Sequence, residues 1–136
     1  MIGELPRNIL NSMLQTIPME FSVLDKNDKV LAWNKHDTRI FKRPKGVVGK
    51  DVRNCHPQKS LHKVEQILTE FKDGSRDKAR FWIDLNLEGK DASQSQKILI
   101  EYYALRDTEG VYLGCVEITQ NITELQSITG EKRLLD

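Results

Sequence analysis

Three consecutive stretches toward the C-terminal end constrain the fold of this chain most. Residues 79–87 alternate as Phe81, Ile83 and Leu85. Residues 96–105 are rich in Ile, Leu and Tyr, and residues 111–119 in Val, Tyr, Cys and Ile. A period of two puts one set of side chains on one face of a strand. Asp107-Thr108-Glu109-Gly110 is turn chemistry and joins the last two stretches as an antiparallel hairpin. The polar segment from Glu88 to Gln96 reads as a longer hairpin loop between the first two. Three such strands need a covering layer to bury a face.

The preceding residues provide that layer. In residues 59–72, KSLHKVEQILTEFK, the side chains of Leu61, Val64, Leu68 and Phe71 share one helical stripe. Ser60 is placed to cap this helix, and Lys72-Asp73-Gly74 ends it. Upstream, Phe21 and Val23, then Val30 and Ala32, alternate around the turn cluster Asp25-Lys26-Asn27-Asp28, which predicts a second hairpin. Residues 34–55 are broken by Pro44, Gly46 and Gly49. They predict short helical turns, with Asn34 capping one that contains Ile40 and Phe41. Residues 5–17 carry Leu5, Ile9, Met13, Leu14 and Ile17 at helical spacing, with Pro6 suited to the first turn and Pro18 ending the helix. Ile122, Leu125 and Ile128 fit a last helix over 122–136, which Gly130 weakens. The plan is α+β: a five-stranded antiparallel sheet, helices inserted between strands 2 and 3, and an N-terminal flanking helix. It divides into a flanking helix (1–17), a sensor-sized domain (18–125) and a C-terminal tail or linker helix (126–136).

Bulk properties narrow the function classes. A 136-residue chain is one domain with one core. A net charge of +1 gives no electrostatic case for nucleic acid or an anionic membrane. No apolar run approaches the roughly 20 residues of a membrane span, and no signal-peptide pattern opens the chain. Cys55 and Cys115 are far apart in sequence, so a cytoplasmic setting is expected, while a disulfide between them is left open. No GxGxxG, GxxxxGK[ST], HExxH or GxSxG occurs, and the carboxylates cluster in turns, so no catalytic reading is favoured.

Several words, in this order, resemble the PAS domain. FSVLDKNDKVLAWNK is similar to its opening hairpin, VVGKDV to the Ile-Gly-Lys step after its short helices, and YYALRDTEGVYLGCVEITQNITE to its closing hairpin. Asn121 stands where the family's final Asp-Ile-Thr-Glu has Asp. The stretch NCHPQKSLHKVEQIL and the tail GEKRLLD resemble, more narrowly, the C-terminal PAS module of prokaryotic proteins that also carry a hemerythrin-like domain, with Gln58 where that group tends to have Pro. The resemblance implies a signal-sensing or signal-transmission module rather than an enzyme. It also implies that these residues are a fragment or single-domain relative of such proteins.

Cys55-His56-Pro57 is the most unusual local feature. Light-sensing, flavin-binding PAS domains carry Gly-Arg-Asn-Cys-Arg-Phe-Leu-Gln on a helix here, and Arg53-Asn54-Cys55 matches three letters. Pro57 would break that helix, and Thr119, rather than Gln120, falls where that class has a flavin-binding Gln. Haem-binding PAS sensors hold iron through a His of the long helix. His62 is the His there, and its direction lies about 140° from the apolar stripe, on the polar face. His56, just before the helix, is the better pocket residue. Haem and flavin are thus weighed as cofactors and neither is favoured. Cys55, His56 and His62 lack the second cluster that zinc needs, so no metal site is expected.

The pocket expected between sheet and helices is assigned to Trp33, Cys55, His56, Leu61, Val64, Leu68, Ile83, Ile100, Tyr102 and Val116. Strand parity and helix phase add Phe21, Val23, Phe41, Val52, Phe81, Ile98 and Ile118 to the inward-facing set. An unidentified small molecule or partner is the expected occupant, and a filled, ligand-free interaction domain is the alternative. The stripe of the first helix is expected to pair with the same helix of a second subunit as a homodimer.

Overall fold

A computed structural model of the chain describes residues 1–87 and 94–135. It contains α1 (Arg7–Thr16), β1 (Glu20–Asp25), β2 (Val30–Trp33), α2 (Leu61–Asp73), β3 (Lys78–Leu85), β4 (Gln96–Arg106) and β5 (Tyr112–Asn121). The strands form one antiparallel sheet in the order β2-β1-β5-β4-β3. Three short 3₁₀ turns, His36–Thr38, Lys45–Val47 and Val52–Cys55, fill the segment between β2 and α2. A fourth, Gln58–Ser60, leads into α2. Most of the hairpin loop expected from Glu88 to Gln96 lies outside the described residues. Among the described residues, no helix is long and apolar enough to cross a membrane.

The two hairpins use the same chemistry. Asp25 Oδ1 accepts from the backbone N–H of Asn27 and of Lys29 at 2.8 and 3.0 Å. Asp107 Oδ1 accepts from those of Glu109 and Val111, both at 2.9 Å. Each aspartate thus closes its turn before the ladder begins. Helix α2 ends at Gly74, whose φ of 82° suits a residue without Cβ. Its stripe delivers Leu68 and Phe71, at 2% and 0% exposure, into a core with Leu24, Val30, Val52, Ile98, Ile100, Tyr102 and Cys115. Burying Phe71 alone stabilises the fold by roughly 3 kcal/mol.

Four expectations are corrected. Ser60 occupies the cap position of α2, but its hydroxyl donates to the Pro57 carbonyl and leaves the helix end uncapped by a side chain. Asn34 caps no helix. Its Oδ1 accepts from Phe21 N–H, and its amide donates to the carbonyls of Leu14 and Met19, pinning the end of α1 to the first hairpin. Among the described residues no C-terminal α-helix forms: one 3₁₀ turn, Leu125–Ser127, precedes Gly130 at positive φ.

The fourth correction concerns the sheet faces. On β1 the buried residues are Glu20, Ser22 and Leu24, not Phe21 and Val23. On β5 the residues that share their face are Cys115, Glu117 and Thr119, not Val116 and Ile118. The register agrees: Leu24 opposes Cys115, Ser22 opposes Glu117 and Glu20 opposes Thr119. On β4 the same face shows Ile98, Ile100 and Tyr102, as expected. Phe81 and Ile83 of β3 share that face by register, yet they are 38% and 37% exposed because β3 is an edge strand. Alternation correctly identified these strands, but the apolar set of β1 and β5 faces outward.

Gly114 is required where β5 meets β1. It has φ 149°, and an added Cβ would lie 2.1 Å from the Leu24 carbonyl oxygen. Gly114→Ala is expected to cost about 3 kcal/mol in urea unfolding. Gly110→Ala, at positive φ but in open space, is expected to cost about 1 kcal/mol. Equal costs would contradict the close approach.

Candidate functional site

The inner face of the sheet carries charge, and the segment before α2 neutralises it. Arg39, 2% exposed, donates through Nη1 to the Phe21 and Asn34 carbonyls, through Nε to the Phe41 carbonyl and through Nη2 to Ser22 Oγ. Its Nη2 lies 3.6 Å from the Glu20 carboxylate. Burial lowers the pKa of Arg39, and the Glu20 charge opposes that shift. Next to it, Arg43 Nη2 meets Glu117 Oε1 at 3.2 Å. Tyr102 donates its hydroxyl to the other oxygen of Glu117. Burial and the Glu117 charge push the Tyr102 hydroxyl well above its ordinary range, so it stays a proton donor.

Ser22, Arg43, Tyr102 and Glu117 of these groups line a largely enclosed cavity between sheet and helix of about 20 Å³. That is room for about one water molecule. Its polar wall is Ser22, Arg43, His56, Tyr102 and Glu117; its apolar wall is Leu24, Val52, Val64, Ile67, Leu68 and Cys115. His56 Nδ1 lies 3.1 Å from the Val52 carbonyl. A carbonyl only accepts, so in this contact Nδ1 carries the proton. Arg43 Nε is buried with no hydrogen-bond partner. Haem or flavin would need a pocket of several hundred Å³.

The structure brings together His56, Val64, Leu68 and Tyr102 of the residues assigned from sequence. The others lie elsewhere. Ile100 is buried in the core beside the cavity. Leu61 is half-buried at the start of α2. Cys55 packs against the core at the end of its 3₁₀ turn, and His56 after it is extended. Trp33 donates its indole N–H to His36 Nδ1 at 3.0 Å. Trp33 and Val116 border a different space, an open groove of about 630 Å³ between α1 and the outer face of the sheet. Ile83 is on the exposed edge. His62 is exposed. Both cysteines are free thiols. Sequence reasoning missed Ser22, Arg43 and Glu117. The signal for Ser22 and Glu117 was polar letters alternating out of phase with Phe21, Val23, Val116 and Ile118; Arg43, in the irregular segment after β2, had none.

A five-stranded antiparallel sheet in this order, with a small cavity beneath the helix that follows strand 2, defines a single-sheet α+β domain. A family model described as PAS domain matches residues 10–123. The chain belongs to the PAS domain family, whose members are sensory rather than catalytic as a rule. A C-terminal domain from Streptococcus mutans is similar at 27% identity and a TM-score of 0.82, covering 95% of this chain and 94% of that one. The PAS domain of Bordetella pertussis BvgS shares 20% identity and a TM-score of 0.61, with 88% and 90% coverage. A sensory box sensor histidine kinase from Vibrio cholerae shares 11% identity and a TM-score of 0.57, with 86% and 91% coverage. The last two show the fold alone. No curated protein matches the sequence.

The cavity has a pH signature. Burial pushes the Cys115 thiol from its ordinary value of 9.0 up to about 12. Its folded pKa is raised, so its contribution to stability is complete below about pH 9 and is lost as pH rises toward 12. The loss is expected to reach roughly 4 kcal/mol. Urea unfolding against pH should show it, and Cys115→Ala should flatten the slope between pH 9 and 12. An unchanged slope would contradict the burial argument.

Proposed function

We propose that this domain is a signal-sensing or signal-transmission module whose internal cavity takes a small molecule. The observation that carries this reading is the cavity's polar wall. Core packing alone gives no reason to place Arg43, Glu117, Tyr102, Ser22 and His56 around one enclosed space, because burying charge costs several kcal/mol even when it is paired. A hydrogen-bonded chain supports a transmission role. It runs from cavity-lining Ser22 to Arg39, from Arg39 to the Asn34 carbonyl, and from the Asn34 amide to Leu14 of α1. A change at the cavity thereby reaches the end of α1.

The second reading, a dimerisation domain, rests on α1. This helix buries none of its residues, and Leu5, Ile9, Leu10 and Met13 are 37–51% exposed. A 10-residue helix is marginal in water without packing. We place a second copy of the chain against α1 and the apolar groove beside it, forming a homodimer. The two readings are compatible, with α1 as the shared output. The setting we favour is cytoplasmic. We favour the C-terminal end of a prokaryotic protein that also carries a hemerythrin-like domain. The CHPQKS stretch supports that placement, as does the similarity to a C-terminal domain from Streptococcus mutans.

Native mass spectrometry of protein purified without denaturation tests both readings. The expected species is twice the 15.7 kDa chain mass plus a retained small molecule. In Val64→Trp, which fills the cavity, the added mass should vanish while the dimer persists. A dimer with no added mass in either protein would leave only the interaction reading. A monomer would overturn the dimer.

A further inference from the structure

We infer that the cavity selects an uncharged small molecule that offers a hydrogen-bond acceptor to Arg43 Nε. This rests on the reading of the cavity as a ligand site and names the chemistry that site accepts. Charge balance comes first. Arg43 and Glu117 face each other at 3.2 Å with side chains 11% and 12% exposed, so their charges cancel inside the wall. The neighbouring pair, Arg39 and Glu20, is balanced in the same way. A ligand carrying net charge would enter a low-dielectric space without a counter-charge.

The free valences come second. Tyr102 spends its hydroxyl proton on Glu117, and Arg43 spends Nη2 on the same carboxylate. Among the residues lining the cavity, Arg43 carries a buried donor left unpartnered, its Nε–H. A buried donor without a partner is unfavourable, so an acceptor placed there gains the whole hydrogen bond. His56, whose Nδ1 is committed to the Val52 carbonyl, adds a second polar group to the same wall. Opposite the polar wall, Val64, Ile67 and Leu68 of α2 present only hydrocarbon. The ligand's entering end is therefore a carbonyl, amide or hydroxyl group with an apolar back. At about 20 Å³ the closed cavity admits a group only slightly larger than water, and half-buried Val64 and Ile67 are the side chains that would yield to more.

The test uses three probes of similar size, titrated into the ¹⁵N-labelled full chain. Acetamide is neutral with an acceptor, acetate is its charged isostere, and xenon is apolar. The readout is the Arg43 side-chain Nε–Hε resonance. Acetamide should shift that signal at concentrations roughly tenfold or more below any effect of acetate, and xenon should leave it in place. Glu117→Gln removes the balancing charge and should reverse the order, so that acetate shifts the signal first. If that variant does not fold, the wild-type comparison of acetamide with acetate decides alone. Acetate acting at or below the acetamide concentration in the wild type would overturn the uncharged class while leaving the cavity as a site. No response to any probe would overturn both this inference and the cavity as a ligand site.

Discussion

Pairing of buried charges across the inner face of the sheet is the constraint on which the rest of this structure depends. Glu20 and Glu117 point into the layer between sheet and helix, where an unpaired carboxylate would not be tolerated. Arg39 and Arg43 answer them, and both come from the irregular segment between β2 and α2. That segment has only short 3₁₀ turns of its own. It is positioned by guanidinium bonds to β1, by the Glu20 bonds to the backbone N–H of Ile40 and Phe41, and by the Arg43–Glu117 pair. The cavity lies where this polar wall meets the hydrocarbon of α2.

The architecture was legible from sequence because periodicity and turn chemistry are local. Asp25 and Asp107 each tie their own hairpin, and Leu61, Val64, Leu68 and Phe71 lie along one helix, so no knowledge of the fold was needed to find them. The faces of β1 and β5 were not legible. The reasoning assumed that the apolar set of an alternating strand faces the core. Here Phe21, Val23 and Val116 face the outer groove beside α1, while Glu20, Ser22 and Glu117 face inward. That inversion depends on arginines about twenty residues from β1 and more than seventy from β5, beyond any local window. Asn34 was misread for the same reason: its three side-chain bonds reach residues 13 to 20 positions away.

The same inversion gives the molecule two chemically distinct surfaces. The inner face is small, enclosed and charge-balanced, suited to recognising something by hydrogen bonds. The outer face is broad, apolar and flanked by a helix with no buried residue, suited to contact with another chain. β1 belongs to both, through Ser22 and Leu24 on one side and Phe21 and Val23 on the other. A sensing module needs that adjacency, because only a shared strand lets an event on one face bias packing on the other.

A double-mutant cycle on Arg43 and Glu117 tests the central claim most directly. Arg43→Met or Glu117→Leu alone leaves an unpaired buried charge and is predicted to cost roughly 3–5 kcal/mol in equilibrium unfolding. Combining the two is predicted to cost less than either single change, since no buried charge remains. Additive losses in the double variant, or single losses below about 1 kcal/mol, would contradict the claim that paired burial shapes the inner face.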